Sequence, residues 1–350
     1  MTTDFKDKDA HESLTLVETL IRQGEINIIN PGFGEKSHEL SIPIATSYVR
    51  VGEQIGILVS NSFYDKPLQI FGKNGKVLGF LNDSRFRRAS AMTSDFEGVY
   101  ITDDATGLTA KFSPDLQKID WTFNPDDGKV LSGRFGSLTV NENYLLAFDT
   151  ALSRIHRFDK FTGEWIGSIG EHQPISIADA KKENLIPVDK VAFNGHFDIA
   201  FYRGNIVAAQ GGIDWEGLCV SPNIVMIISL DGKLISGVKL SSKVSEISGV
   251  TTDIKNGVFF LGNKDNLYVF DEKGLVGLIP VPNFQNGDIF NLHYDQESGD
   301  LVVCHGTSGR KSTPGYSQIA ILPEKARKLL LRKTIGPQEV KFLGPLPENS

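Results

Sequence analysis

Cysteine is nearly missing from this chain. Cys219 and Cys304 are its only two in 350 residues, too few for a disulfide framework or a cysteine-built zinc centre. Long hydrophobic runs are missing too: nothing approaches the roughly eighteen consecutive apolar residues of a membrane-spanning helix. The opening "MTTDFKDKDAHESLTLV" mixes acids with lysines and lacks a basic start followed by an apolar stretch, so a cytoplasmic protein with reduced thiols is expected. Positive charge is in deficit. A net charge of -7 repels nucleic acid and anionic membranes at long range, and the two short basic runs, "RFRR" at 85–88 and "KARKLLLRK" at 325–333, read as solvated faces. Phosphate-loop spacing is absent as well. "GFGEKS" (32–37) and "GTSGRKST" (306–313) are glycine-rich, but neither has the GxxxxGK[ST] pattern leading into a helix.

What the chain does have is a repeat. Six apolar strands begin near Gly, Asn or Asp and end on a polar or small residue: "GILVSNS" from Gly56, "GVYITDD" from Gly98, "NYLLAFDT" from Asn143, "NIVAAQGG" from Asn205, "GVFFLGN" from Gly257 and "DLVVCHG" from Asp300. Their spacings are 42, 45, 62, 52 and 43 residues, the period of a propeller blade. An extended segment precedes each copy, and a third strand follows it and runs into a Gly, Asp, Pro or Lys turn. A fourth strand is visible in five copies, such as "KIDWTF" and "EWIGSIG". Four antiparallel strands repeated six times predict an all-β, six-bladed β-propeller. One such sheet cannot bury both of its faces alone, and radial stacking covers both. Two segments compete to complete the sixth blade: "KLLLRKTI" (328–335), or the N-terminal "EINIIN" (25–30), which would latch the two ends together.

The stretch "YLLAFDTALSRIHRFDKFTGEWIGSIG" (144–170) resembles the NHL-repeat type of propeller through Asp149, Arg154, Ile155, Phe158 and Asp159, and "LYVFDEKG" around Phe270 matches the same pattern. In the fourth blade "NIVAAQGG" departs from it. The expected organisation is an N-terminal helical extension (1–24), the propeller (25–335) and a C-terminal tail (336–350). Asp9 and Glu12 form a capping box for the helix, Leu14, Val17 and Ile21 share one face, and Gly24 stops it. Docking of that face on the outer propeller surface is expected.

In propellers, the loops that join one blade to the next share a face with those joining second and third strands, and that face funnels into the central channel. The extra length of blade four falls in two such loops, 171–196 and 211–223, with a short helix expected after Ser176. Long loops in compact domains commonly bind ligands. In "DWEG", Asp214 and Glu216 flank Trp215, a general-base and stacking arrangement. His196 and His305 come from strand ends near the axis, and His293 from within the first strand of blade six. The catalytic candidates are therefore His196, Asp214, Glu216 and His305. The ligand-binding candidates are Trp215, Arg134, Arg88, Tyr64, Arg310 and Tyr316. Asp103, Asp104 and Asp149 end second strands, where Asp ordinarily caps its own turn. In calcium-dependent lactonase-like six-bladed propellers such acids converge on an axial Ca²⁺, which is the other use open to them. Without a clustered ligand motif, no cofactor or metal is expected.

Two functions stay open: a small-molecule site at the funnel, serving a hydrolase, lyase or group-transfer enzyme, or a non-catalytic protein-interaction scaffold of NHL type. The fold hosts both. Partners are expected to be a small molecule or a protein, with no nucleic acid and no membrane.

Overall fold

The computed structural model describes residues 15–29, 43–61, 68–86, 88–124, 131–172, 192–193, 197–210, 224–240, 247–263, 266–281, 288–307, 316–332 and 340–342. Blade one is β2 (Pro43–Val51), β3 (Gln54–Asn61), β4 (Leu68–Gly72) and β5 (Val77–Leu81). Blade two is β6 (Ala89–Asp95), β7 (Gly98–Asp103), β8 (Thr109–Phe112) and β9 (Ile119–Phe123). Blade three is β10 (Phe135–Val140), β11 (Tyr144–Asp149), β12 (Arg154–Asp159) and β13 (Trp165–Ile169). A short parallel pair, β14 (Glu171–His172) with β15 (Ala192–Phe193), brackets the longest insertion. Blade four is β16 (Phe197–Tyr202), β17 (Asn205–Gln210), β18 (Ile224–Ile228) and β19 (Leu234–Leu240). Blade five is β20 (Gly249–Asp253), β21 (Val258–Asn263), β22 (Asn266–Asp271) and β23 (Gly274–Pro280). Blade six holds β24 (Asp288–Tyr294), β25 (Leu301–Thr307) and β26 (Tyr316–Leu322), completed on the outside by β1 (Asn27–Ile29). The fold is the six-bladed propeller that the repeat predicts.

Ring closure falls to the N-terminal segment. Asn27, Ile28 and Ile29 pair antiparallel with Ile321, Ala320 and Ile319. The rival segment is instead helical over Glu324–Leu330, and the chain then pairs Arg332 with Leu278 on the outside of blade five. Further on, β27 (Val340–Phe342) adds a fifth strand to blade four beside β19. The first and last described strands, β1 and β27, thus lie on outer blade edges.

Six hydrophobic clusters fill the six gaps between neighbouring blades. Alternation within a strand explains how one apolar run serves two of them. Ile57 and Val59 pack toward blade six and Leu58 toward blade two, while Ile206 and Ala208 face blade three and Val207 and Ala209 face blade five. Third strands end on large side chains: Phe71, Phe112, Phe158 and Phe270 are buried beside a recurring bulge between third and fourth strands. A bulge adds twist, which suits blades splayed around an axis.

The helix over residues 15–22 buries Val17 and Leu20 with Ile21 packed alongside, in the gap between blades five and six; Asp9, Glu12 and Leu14 lie outside the described residues. The two basic runs are solvated in part: Arg85, Lys325 and Lys328 are exposed. Arg85 pairs with Asp83 at 2.6 Å and Phe86 is buried. In the C-terminal helix Arg327 is buried: it donates to the Leu322 carbonyl at 2.9 Å, lies 3.6 Å from Asp253 and covers the Phe260 and Tyr294 rings. The expected solvated face is therefore partly an interior anchor between blades five and six, because a planar guanidinium can satisfy several acceptors and stack at once.

Candidate ligand site on the propeller axis

A propeller turns the inner edge of every blade toward its axis, leaving a row of unpaired backbone groups. Side chains from neighbouring blades answer much of that demand here. The Asn291 amide oxygen of blade six accepts from the Thr46 N–H and hydroxyl of blade one, at 3.2 and 2.7 Å. The Ser60 hydroxyl donates to the Ala89 carbonyl and that of Ser90 to the Phe135 carbonyl. The Ile199 N–H donates to the Ser137 hydroxyl and the Phe201 N–H to the Thr139 hydroxyl. Asp198 accepts from the Val250 N–H at 2.6 Å, and the Thr251 hydroxyl accepts from the Tyr294 N–H at 3.2 Å. One polar link or more joins each blade to the next around the whole ring.

Inside this ring is a cavity of about 560 Å³, within the usual range of small-molecule sites. First strands of all six blades line it. It reaches from Ser137, Asp198 and Asn291 at one end to the turns between first and second strands at the other, where Arg50, Phe96, Glu142, Ile254 and Glu297 stand. Several of those turns are closed by a first-strand Asp or Asn: the side-chain oxygens of Asp95, Asn141 and Asp295 accept backbone N–H bonds from the residues that follow.

Asp198 sits half-buried in the wall and bridges three blades. It accepts from the Ser137 hydroxyl and from the Ile199 and Val250 N–H groups. Burial still outweighs those bonds and pushes its pKa up to about 6. His293, on the first strand of blade six, lies 3.4 Å from the Ser94 hydroxyl of blade two and packs on the Tyr48 ring. Burial lowers its pKa to about 4, against a smaller opposing pull from Asp295, so the ring is neutral at neutral pH. At the rim, Lys160 of blade three is buried between Asp95 and Glu97 of blade two, at 2.8 and 2.6 Å, under the exposed rings of Phe96 and Phe161. Burial lowers its pKa, and the two carboxylates outweigh that and raise it.

Of the described residues expected at the site, Arg88, Arg134 and His305 are not in its lining. Tyr64, His196, Asp214, Trp215, Glu216 and Arg310 lie outside the described residues, as does Ser176; for Tyr316 the backbone alone is described, at the start of β26. The strands that the long loops join end on the face opposite the turns just described. Arg88 and Arg134 come together near Asp104 there: Arg88 is 3.8 Å from Asp104, whose pKa burial raises and both arginines pull back. His305 is fully buried in β25, its pKa lowered to about 4 by burial, and neither ring nitrogen has a hydrogen-bond partner among the described residues. Asp103 and Asp149 do cap their turns. Each accepts two N–H bonds from its own turn, and a third from Arg88 or Ser132, which tethers the incoming strand of the same blade. Among the described residues no three His, Cys, Asp or Glu side chains converge as metal ligands.

Sequence reasoning singled out His293 on its strand but missed Asp198, Ser94 and Lys160. An Asp one residue into the first strand of blade four, "FDIAFY", was the available signal, since the neighbouring positions are apolar.

No protein-family model matches the chain, and no curated protein matches it. Similar solved structures are of low identity. The WD40 repeats of RRP9 align with a TM-score of 0.50 at 13% identity, over 85% of this chain and 97% of that one. A chain of the mitotic checkpoint complex aligns at 0.49 and 12%, over 86% and 82%. Myxococcus xanthus glutaminyl cyclase aligns at 0.39 and 11%, over 64% and 86%. At such identities the likeness concerns the fold alone.

Proposed function

We propose that this chain is a ligand-binding propeller that receives a small molecule in its axial cavity, entered from the face carrying the turns between first and second strands. The observation that carries this reading is a cavity of about 560 Å³ in which polar side chains from all six blades converge, with a carboxyl group and a neutral imidazole in its wall. Asp198 and His293 would orient the ligand. A hydrolase, lyase or group-transfer reaction through His196, Asp214, Trp215, Glu216, Arg310, Tyr64, Arg88, Arg134, His305 and Tyr316 is a separate part of the proposal. So is the NHL-like relationship, and so is a cytoplasmic location; in the described residues no helix is long and apolar enough to cross a membrane.

The test is a fragment library screened by thermal shift against the native chain and Ser94→Trp, which places an indole across the cavity. Compounds that stabilise the native chain and leave the plugged variant unmoved support the reading. Hits shared equally by both proteins would remove the cavity from it. The scaffold alternative is favoured by Phe96, 77% exposed, and Phe161, 54% exposed, side by side on the turn face. A partner lost on replacing both by Ala, with no fragment hits, would favour it.

A further inference from the structure

We propose that the ligand of the axial cavity is an organic cation, a protonated amine carried on an apolar body; this rests on the cavity being a small-molecule site. Two independent features of the wall point to it. The first is charge. Asp95, Glu142, Asp198, Asp295 and Glu297 line the cavity against the two cations Arg50 and Lys160, and Lys160 is already committed to Asp95 and Glu97. Glu142 and Glu297 are exposed at the rim, where they draw a cation inward and repel an anion.

The second feature is the sign of the hydrogen-bonding groups on the inner strand edges. In an antiparallel strand the N–H and C=O of one residue point to the same side. The N–H groups of Ile199, Phe201, Val250 and Tyr294 point away from their own blades toward the axis and are taken up by Ser137, Thr139, Asp198 and Thr251. Their carbonyls face the same way, and no donor among the described residues reaches them. The cross-blade links therefore occupy these N–H groups and leave their carbonyls as acceptors, beside the hydroxyls of Thr139 and Thr251, which can donate or accept. An ammonium group carries three donors and no acceptor, so it complements such a wall. A carboxylate or phosphate does not. Phe96 and Ile254 at the mouth, both exposed, would cover the apolar part, and an aromatic ring also attracts a cation.

The experiment is calorimetric titration of the full chain at neutral pH with phenethylamine, phenethyl alcohol and hydrocinnamate, three probes of similar shape and different charge. The amine should bind at least about tenfold more tightly than either of the others and weaken as salt rises. It should also weaken in the exposed double variant Glu142→Gln/Glu297→Gln and fail to bind Ser94→Trp. If the alcohol or the carboxylate binds as well as the amine and Ser94→Trp abolishes that binding, the cavity remains a ligand site and the cation inference falls. Amine affinity unchanged in the rim double variant and independent of salt would also overturn it, whether or not the plugged variant folds. Absence of binding by all three probes sinks the inference too; the pocket reading then stands or falls on the uncharged members of the fragment library.

Discussion

At the scale of single residues, acids and histidines do opposite things in this molecule. Asp149 is fully buried, yet burial loses to the His156 ring 3.4 Å away and to the bonds from Ser132 and the Leu152 N–H, and its carboxyl is held below the usual range. Its ionised form stabilises the fold above the unfolded-state value near 3.8, and that stabilisation is lost as pH falls below it. Replacing Asp149 with Ala strands several donors, so a loss of roughly 2–4 kcal/mol is expected in urea unfolding; a loss under about 0.5 kcal/mol would show that the loop re-pairs at little cost. His293 and His305 are buried neutral with values near 4. Between about 4.5 and 5.5 the unfolded chain therefore holds two more protons on these rings, while the native chain holds one more on Asp198. The balance of one proton predicts that stability falls with acidification by about 1.4 kcal/mol per pH unit. In His305→Gln the two remaining groups cancel, so the profile should flatten in that window. An unchanged slope would mean that His305 is not the proton acceptor.

At the scale of elements, the blades were legible because each one repeats the same local chemistry. Apolar second strands, third strands ending on Phe and turns closed by Asp are all local signals, and each survives in the structure at the register where it was read. The cavity was not legible, since it depends on how six first strands approach one another. Asp198 and Ser137 are 61 residues apart and meet only because two blades stand side by side. Closure was half legible: "EINIIN" and "KLLLRKTI" are both apolar enough for an outer strand, and the choice was made by Lys and Arg spacing that lets 324–330 coil with Ala326 and Leu330 inward. The C-terminal segment is held to blade five by a close backbone approach. A Cβ on Gly277 would lie 2.3 Å from the Arg332 carbonyl oxygen, so Gly277→Ala should lift this segment off. Faster hydrogen exchange over 329–332 with little change elsewhere is the expected result, and unchanged protection would show that the pairing of Leu278 with Arg332 tolerates the shift.

At the scale of the whole molecule, the six interblade clusters form a closed circle, so no blade can leave without exposing two apolar faces. Deleting residues 1–29 removes β1 and the helix that buries Val17 and Leu20 between blades five and six. It also uncovers the edge of β26, a template for pairing with another chain. We expect a lower midpoint in thermal unfolding and a concentration-dependent rise in mass by light scattering. A truncated chain that stays monomeric and equally stable would show that the latch is dispensable. The net charge of -7 predicts no retention on heparin at physiological salt.

The pairing of Asn27–Ile29 with β26 also orders events on the ribosome. The closing strand leaves the exit tunnel long before its partner, Ile319–Ile321, which lies five blades further along the chain. At ordinary elongation rates that gap is on the order of a quarter-minute to a minute. Throughout it, Ile29 and the face of blade one that meets blade six have nothing to close against. Holding that early strand out of wrong pairings is a task for the nascent chain's surroundings, and it makes this protein's yield depend on how quickly its last blade is made.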